Sequence, residues 1–203
     1  MIAKKYGGYA RTSTEAITNA REIYSILFYA GWTLNAVCGV LGNMGAESGY
    51  NPWRWQNDEV GLSTGSPWTN KGYGFTQFTP ASKYIDSDNA KSILGYAPNF
   101  ADKAGNASDG SAQITFLNDF ADYYPTTTYP ITYAAFKVSN STPEQLALVW
   151  LYNYERPKDP TASASARQEN ARYWFNLLGG SEPPTPGTKR KRIKPWIYLR
   201  KRI

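Results

Sequence analysis

An apolar helical segment that ends in an acidic residue sets the strongest limit on how this chain folds. Thr33 can cap the helix, and the apolar positions that follow recur at spacings of three and four residues: Leu34, Val37, Cys38, Leu41 and Met44. Gly49 and Pro52 then terminate it. On the helix surface, Glu47 lies about 100° from the centre of the apolar stripe. The segment therefore predicts a buried helix that holds a half-desolvated carboxyl group at the edge of a cleft.

A glycine-bounded segment with the sequence GYGFTQFTP follows at residues 72–80. Residues 73–78 predict a short strand, in which Thr76 and Gln77 point to opposite faces because side chains alternate along a strand. Residues 50–71 lack helical spacing and predict a loop or an irregular β excursion. We therefore expect a small β element directly after the buried helix.

The remaining apolar patterns and helix-end signals predict five more helices. The first covers residues 14–30 with Thr14 as the cap, and the second runs from Thr79-Pro80 to about Leu94. The third covers residues 110–124 with Asp109 as the cap. The fourth is opened by a capping box at 142–145, and the fifth covers residues 161–178 before Gly179. The expected fold is therefore α+β and mainly helical. Its small β element lies between the buried helix and the helices that follow.

Two residue counts exclude several classes of chemistry. The chain of 203 residues has no histidine, which removes Ser-His-Asp and Cys-His nucleophiles and histidine-bound zinc. The single cysteine, Cys38, cannot form an intramolecular disulfide and lies among apolar helical positions, so we expect it in the core. Any catalysis must use carboxylates, hydroxyls, amides, lysine or arginine, and we expect no cofactor and no metal ion.

Basic residues are concentrated in the last part of the sequence. Residues 1–180 carry 14 Lys and Arg against 15 Asp and Glu, a net charge of −1, whereas residues 181–203 carry 8 against 1, a net charge of +7. We expect an N-terminal extension over 1–13, one domain over 14–180, a proline-rich linker over 181–188 and an extended basic, aromatic tail over 189–203. The first residues lack the apolar core of a signal peptide, and no apolar stretch is long enough to span a bilayer.

Several short motifs are spread along the predicted domain. They are GNMGAESG at residues 42–49, Asn51-Pro52, GYGFTQFTP at 72–80, QITFL at 113–117 and NYERP at 153–157. Together they resemble the phage tail lysozyme family, which is similar to goose-type lysozymes and soluble lytic transglycosylases. The resemblance extends over about residues 15–178. Phe75 and Phe78 replace the leucine and tryptophan of the family pattern, and the tail over 189–203 is not part of it.

The resemblance implies a lysozyme-like fold and cleavage of peptidoglycan glycan strands, with Glu47 as the general acid. Desolvation favours the protonated form of a glutamate, which can then protonate the leaving glycosidic oxygen. Asp58 and Glu59 are the only acidic residues between Glu47 and the predicted strand, so either is a candidate second carboxylate, with a solvated loop as the alternative. Lytic transglycosylases need no second acid, because a side group of the substrate completes an anhydro ring.

Five further side chains are candidates for contact with the glycan: Gln77, Tyr73, Trp53, Trp55 and Tyr154. Gln77 would hydrogen-bond N-acetyl or hydroxyl groups of the substrate, or would be a polar residue at a strand edge. Tyr73 lies between two glycines that allow close approach of a glycan. Trp53 and Trp55 would stack on sugars or cover the core. Tyr154 and the glutamate after it would line the far wall of the cleft, or make structural contacts at a helix end.

The resemblance favours a lysozyme carried on a phage tail tip or knob that opens the bacterial wall during infection. Three alternatives stay open: a lytic transglycosylase with the same acid, a tail component that binds glycan or serves the tail structure without catalysis, and a free endolysin. The tail over 189–203 mixes cations with Trp196, Ile197, Tyr198 and Leu199, and we expect it to dock to other phage tail proteins rather than to nucleic acid or a membrane. The expected location is the virion.

Overall fold

The fold is mainly helical in the computed structural model, which describes residues 1–4, 6–58, 71–95 and 107–179. The helices are α1 (Thr14–Tyr29), α2 (Leu34–Glu47), α3 (Ser82–Ile85), α4 (Asp88–Leu94), α5 (Ala107–Phe120), α6 (Tyr133–Lys137), α7 (Pro143–Trp150) and α8 (Thr161–Leu178). A short helical turn covers Gln56–Asp58, and α7 continues directly into one π-helical turn, Leu151–Glu155. Within the described ranges, no helix is long and apolar enough to cross a membrane.

Helix α2 lies at the centre of the fold, and its glycines allow two other helices to approach it closely. Every residue from 35 to 44 is buried. A Cβ atom added at Gly39 would lie 2.8 Å from the backbone of Leu146 on α7, and one at Gly42 would lie 2.5 Å from the carbonyl oxygen of Arg167 on α8. The backbones of α7 and α8 therefore contact α2 directly, and this contact brings α8 beside the end of α2 that carries Glu47.

Most helix ends follow the predicted signals. Thr33 caps α2, and the capping box at the start of α7 is complete, since Thr142 and Gln145 each accept a hydrogen bond from the other's backbone N–H. Helix α8 ends at Gly179 in a left-handed conformation, as expected. The cap of α1 is Ser13 rather than Thr14, because the side chain of Ser13 accepts the hydrogen bond from Ala16 N at 3.2 Å.

Two predicted helices have different bounds. The helix expected from Thr79-Pro80 to Leu94 is divided into α3 and α4, because Ser87 interrupts it in an extended conformation and caps α4 by accepting from Asn89 N. Asp109 does not precede α5 but lies inside its first turn. Its side chain is buried, where it binds other side chains instead of capping the helix.

The predicted strand over 73–78 is wrong, and the small β element is not seen in the described residues. Tyr73 forms isolated bridges with Trp55 and Phe78, and no strand is present around them. Phe78 N donates to Tyr73 O at 2.8 Å, so the segment is a tight turn. Gly74 and Gln77 both have positive φ angles, 82° and 48°, which reverse the chain where a strand would extend it.

Aromatic side chains form two clusters in the core. One cluster joins Trp32 to Phe136 and Trp150, and the other joins Phe78 to Tyr84 and Phe116. All six are buried. Cys38 is also buried, as predicted. The high aromatic content of the sequence therefore serves packing to a large extent.

The described part of the N-terminal segment is held against the loop after α2. The Asn51 side-chain amide donates to Lys4 O at 2.9 Å and to Gly7 O at 2.8 Å. Tyr9 N donates to Gly49 O at 2.6 Å, and the Gly8 backbone contacts Gly49 closely. These contacts fix the end of α2 from outside the helix.

Candidate active site

A cleft of about 760 Å³ opens beside the C-terminal end of α2. Its walls come from segments that are distant in sequence: Glu47; Arg54, Gln56 and Asn57; residues 76–79; Lys83; Phe116, Phe120 and Asp122; and residues 154–157. The lining mixes carboxylates, cations, amides, hydroxyls and aromatic rings. Such a surface suits a polar, extended ligand such as a glycan. Within the described ranges, no three acidic or thiol side chains are grouped so that they could hold a metal ion.

Glu47 lies in this cleft and is held by an arginine from α8. Its Oε1 accepts a hydrogen bond from Arg167 Nη2 at 2.6 Å. The Glu47 side chain is 21 % exposed, whereas that of Arg167 is 6 % exposed. The other nitrogens of Arg167 donate to Asn43 Oδ1 at 2.8 Å and Ser163 Oγ at 3.0 Å. Each nitrogen of the guanidinium therefore donates one hydrogen bond, and Nη2 fixes the orientation of one carboxylate oxygen of Glu47.

Arg167 was not predicted from the sequence. It shares one face of α8 with Ala171 and Trp174, at spacings of four and three residues, and that face is buried. A cation in a buried helical stripe needs a partner, because an unpaired buried charge is costly. That pattern was visible in the sequence and could have indicated a buried carboxylate partner.

Gln77 lines the cleft but uses its amide nitrogen to hold the turn together. Its Nε2 donates to Arg54 O and to Gly74 O, both at 3.0 Å. The two hydrogens of Nε2 are thereby used. The acceptor Oε1 is the atom with which Gln77 can meet a donor on a substrate.

Tyr154 lies in the cleft lining beside Thr76. Their hydroxyl groups are 3.1 Å apart, and the Tyr154 ring stacks on Trp150 with centroids 4.3 Å apart. Burial raises the pKa of Tyr154 above its ordinary value, so the hydroxyl stays neutral. Thr76 and Gln77 both line the cleft. The expectation that they point to opposite faces is wrong, because the segment is a turn and not a strand.

Glu155, the next residue, is a second carboxyl group in the cleft lining. Its Oε1 accepts a hydrogen bond from Trp150 Nε1 at 2.9 Å. Burial and the negative charge of Glu47 raise the pKa of Glu155 well above its ordinary value, although Arg167 opposes the shift. The sequence motif predicted that Glu155 lines the wall of the cleft, and the structure places it in the lining.

The buried side chains of Asp109 and Gln113 hold the turn that lines the cleft. Asp109 Oδ2 accepts from Tyr73 OH and Gln113 Nε2, both at 2.9 Å, and Oδ1 accepts from Tyr84 OH at 2.8 Å. Gln113 Oε1 accepts from Phe75 N at 2.9 Å. Burial raises the pKa of Asp109, whereas its three side-chain donors lower it. Helix α5 thus holds the turn through side-chain hydrogen bonds.

The structure places three of the predicted substrate-binding residues in the core. Trp53 is 6 % exposed, Trp55 2 % and Tyr73 0 %. Little ring surface remains for a sugar, and the Tyr73 hydroxyl is already used by Asp109. This burial argues against stacking by either tryptophan and against direct contact by Tyr73.

The structure does not place Asp58 among the residues that line the cleft. Its Oδ1 accepts from Gly7 N at 2.7 Å and from Arg54 Nε at 3.2 Å, so it ties the N-terminal segment to the loop after α2. Glu59 lies outside the described residues, as do the linker over 181–188 and the tail over 189–203.

An ion cluster lies at the rim of the cleft. Asp122 accepts from Lys83 Nζ at 2.9 Å and from Arg156 Nη2 at 3.2 Å. Arg156 also lies over the ring of Tyr124, 4.7 Å from its centroid. The hydrogen bond from Lys83 is the main reason why the pKa of Asp122 is lowered. Both cations are therefore engaged at the rim.

Comparison with known proteins identifies relatives over most of the chain. A family model described as phage tail lysozyme matches residues 18–178. Over 170 residues the chain is 35 % identical to morphogenesis protein 1 of Bacillus phage B103. This alignment covers 82 % of the chain and 40 % of the relative. The chain thus spans less than half the length of that relative.

Proposed function

We propose, from the premise that this chain belongs to the phage tail lysozyme family, that it cleaves the glycan strands of peptidoglycan with Glu47 as the general acid. The observation that carries this proposal is the position of Glu47, which is half-buried in a large polar cleft and held by Arg167. Cleavage of a glycosidic bond needs a carboxylic acid beside the leaving oxygen. Glu47 is the acid in this proposal, because its carboxyl group lines the cleft that would bind the glycan.

The ion pair with Arg167 suits a group that donates a proton and becomes an anion. Arg167 holds Oε1 of Glu47, whereas no described residue forms a hydrogen bond with Oε2. Oε2 is therefore the oxygen that would carry the proton towards the substrate. After the transfer, the new negative charge lies 2.6 Å from a guanidinium nitrogen, which stabilises it.

Other residues of the cleft lining supply groups that can position the glycan. Gln77 Oε1 can accept a hydrogen bond from an N-acetyl N–H, and the hydroxyl of the half-buried Tyr154 can contact a sugar hydroxyl. Phe120, which is 45 % exposed, adds apolar surface to the lining. Positioning by such groups lowers the barrier because the scissile bond is held beside the acid.

Digestion of purified peptidoglycan tests the proposal. The unchanged protein should release muropeptides, and Glu47→Gln, which has nearly the same shape but no acidic proton, should lose activity by about 100-fold or more. Glu169→Gln is the matched control, because Glu169 is an exposed glutamate on α8. No release by the unchanged protein would refute the enzymatic function and leave a structural or glycan-binding role.

Lytic transglycosylation is the second candidate reaction. It is favoured by Asp58, which is engaged by Gly7 and Arg54 and so is not free to act as a nucleophile in the cleft. Mass spectrometry of the released products separates the two reactions. Reducing ends indicate hydrolysis, and products lighter by one water indicate an anhydro ring.

We further propose that the activity serves a phage tail during infection. The relative is named a morphogenesis protein, which is consistent with a part of the virion rather than with a lysis enzyme alone. In this proposal, residues 189–203 bind other tail proteins and the domain reaches the glycan of the host wall. Detection of the chain in purified virions would support this location. Its recovery only from lysates would indicate a free endolysin.

A further inference from the structure

The rim ion cluster, which consists of Lys83, Asp122 and Arg156, contains more positive than negative charge. Its members come from three segments distant in sequence, and all of them line the cleft that holds Glu47. We propose that Lys83 and Arg156 bind a carboxylate of the short peptides that branch from the glycan of peptidoglycan, so that the protein selects glycan that still carries its peptides. This inference rests on the proposed cleavage of peptidoglycan, and it names the form of that substrate that the cleft prefers.

Two cations share one carboxylate in this cluster. Lys83 Nζ and Arg156 Nη2 donate to the same oxygen of Asp122, Oδ2, at 2.9 Å and 3.2 Å. Among the described residues, no other carboxylate pairs with either cation. Asp122 therefore balances one of the two positive charges, and one positive charge is left for a ligand.

Two other ion pairs at the cleft are matched one to one. Arg54 Nε lies 3.2 Å from Oδ1 of Asp58, and Arg167 Nη2 lies 2.6 Å from Oε1 of Glu47. Each of these pairs joins one cation to one carboxylate. Neither pair therefore adds to the net charge of the cleft.

Glu155 also lines the cleft, but it does not balance the excess charge of the rim ion cluster. Its Oε1 accepts from the indole N–H of Trp150 at 2.9 Å, and it forms no ion pair with a described residue. Burial and the charge of Glu47 raise the pKa of Glu155 well above its ordinary value, which favours its uncharged form. In the described part of the lining, the excess of positive charge is therefore found in the rim ion cluster.

The two cations are accessible and have unused hydrogen-bond donors. The side chains of Lys83 and Arg156 are 47 % and 39 % exposed, compared with 21 % for Glu47. An ammonium group has three N–H donors and a guanidinium has five, and each cation donates one hydrogen bond to a described residue. A guanidinium can also bind a carboxylate through two parallel N–H groups. The cluster can therefore bind a second carboxylate without releasing Asp122.

The backbone and a neighbouring ring hold Arg156 in position. Arg156 follows the π-helical turn Leu151–Glu155 in a left-handed conformation with a φ of 48°, which is uncommon for a residue other than glycine and clusters at ligand sites. Its guanidinium lies 4.7 Å from the centroid of the Tyr124 ring. A side chain that is already ordered loses less conformational entropy when a ligand binds.

A carboxylate attached to the glycan fits this arrangement. The repeating sugars of a glycan that carries its peptides are uncharged, whereas the peptides end in carboxylates. A glycan bound beside Glu47 would hold its peptides near the same cleft, and this attachment gives their carboxylates a high effective concentration at the rim ion cluster. A glycan without peptides would offer the excess positive charge no partner.

Kinetics on three matched substrates test the inference. They are short glycan chains that carry peptides, the same chains after an amidase has removed the peptides, and peptide-bearing chains whose carboxylates have been converted to amides. All three are first freed of wall phosphate polymers. For the unchanged protein, the KM of the peptide-bearing chains should be about tenfold lower than that of the other two, because each of two partly exposed charge contacts contributes a factor of about three. The kcat values should differ less than the KM values.

Removal of the cations should reduce this tenfold ratio of KM values. Lys83→Gln and Arg156→Gln should each lower the ratio to about three, and the double variant should bring it close to one. Added salt should lower the ratio for the unchanged protein more than for the double variant, because exposed charges are screened. Lys91→Gln is the matched control, because Lys91 is an exposed lysine that pairs with Asp88 and does not line the cleft. Thermal unfolding verifies that each variant is folded.

Four results would overturn the proposal. The first is an equal KM for peptide-bearing and peptide-free chains. The second is an undiminished ratio in the folded double variant. The third is an equal KM for amidated and unmodified chains, which would mean that the peptide is recognised by something other than its charge. The fourth is an effect of the two cations only on chains that retain phosphate polymers, which would assign the cations to phosphate.

Binding of the same three substrates to Glu47→Gln, measured by calorimetry, separates this inference from the proposed function. Tighter binding of the peptide-bearing chains, combined with no cleavage of any chain by the unchanged protein, would support the role of Lys83 and Arg156 and refute the proposed cleavage. Equal binding of all three substrates would overturn the inference whether or not the unchanged protein cleaves them.

Discussion

Asp109 and Glu47 are both carboxylates removed from bulk solvent, yet they are held in different ways. Asp109 is 8 % exposed and accepts hydrogen bonds from three neutral side chains, through both of its oxygens. Glu47 is 21 % exposed and is held through one oxygen by a cation. Both oxygens of the first accept from fixed donors, whereas the second has one oxygen that accepts from no described residue.

The difference separates a carboxylate that holds structure from one that can react. Neutral donors spread around Asp109 let its charge be buried without a cation, but they also leave no position for another ligand. A cation on one side of Glu47 fixes its orientation and leaves the other side open to a substrate. A search for candidate acids in related folds can therefore ask which buried carboxylates still have an oxygen without a fixed donor.

The largest expected effect comes from removal of the Asp109 carboxylate, both oxygens of which accept hydrogen bonds. Asp109→Ala would remove the carboxylate that accepts from the Tyr73 and Tyr84 hydroxyls and from one hydrogen of the Gln113 amide, whose nitrogen still donates to Pro52 O. Each buried donor that loses its partner costs about 1–3 kcal/mol, so the free energy of unfolding should fall by about 3 kcal/mol or more. Urea denaturation measures this change. A loss below about 1 kcal/mol would show that Asp109 does not hold the turn.

Asp109→Asn is the control for that substitution, because it keeps one acceptor oxygen and should lose less stability. Because asparagine has nearly the same shape as aspartate but no charge, this variant also shows the effect of the charge alone. The raised pKa of Asp109 means that the folded protein binds its proton more tightly than the unfolded chain does. Its contribution to stability therefore falls as pH rises from the ordinary pKa of an aspartate through the raised one. The asparagine variant should lack this decline.

An intermediate effect is expected from removal of the cation that holds Glu47. Arg167→Met would leave Glu47 Oε1 and Asn43 Oδ1 without a donor in a largely buried place. The free energy of unfolding should fall by about 2 kcal/mol, less than for a completely buried pair because Glu47 is partly exposed. Peptidoglycan cleavage should fall more steeply than stability, since Glu47 also loses its orientation.

Arg167→Lys tests whether the charge alone is sufficient. Lysine keeps the cation but not the planar group that reaches Glu47, Asn43 and Ser163 together. It should recover part of the stability and little of the activity. Full recovery of cleavage by lysine would mean that Arg167 acts by its charge and not by orienting Glu47.

The smallest expected effect concerns the hydroxyl groups of Thr76 and Tyr154, which lie beside each other in the cleft lining. Tyr154→Phe keeps the stack on Trp150 but removes the hydrogen bond with Thr76, so the free energy of unfolding should fall by about 1 kcal/mol. The rate of glycan cleavage should fall several-fold. Tyr152→Phe is the control, because the Tyr152 hydroxyl has no hydrogen bond with any described residue. Equal effects of the two substitutions would argue against a role for the pair.

Features set by neighbouring residues could be predicted from the sequence. The apolar spacing and end signals of α1, α2, α7 and α8 are local, and the structure follows them closely. The same reasoning placed Glu47 at the end of α2 beside a cleft. These predictions succeeded because helix periodicity and capping depend on residues only a few positions apart.

Features set by distant contacts could not be predicted. The turn at 74–77 looks like a strand in sequence, and its reversal is held by Gln113 from α5. The partner of Glu47, Arg167, is 120 residues away. Trp53 and Trp55 are aromatic residues in a loop, and nothing in their neighbourhood shows that they point into the core. Apolar spacing also cannot reveal the π-helical turn, because one additional residue leaves no mark in a short pattern.

That π-helical turn makes the cleft depend on the number of residues between Trp150 and Arg156 as well as on their identity. An α-helix advances about 100° per residue, and the turn takes up one residue more than α-helical winding would. Loss of Leu151, Tyr152 or Asn153 would restore regular winding and rotate the side chains before the deletion away from their present neighbours, although Tyr154 and Glu155 would remain. An alignment of related chains should therefore be read first for gaps at this point. A relative with every cleft residue but a chain one residue shorter here would present a different surface to its ligand.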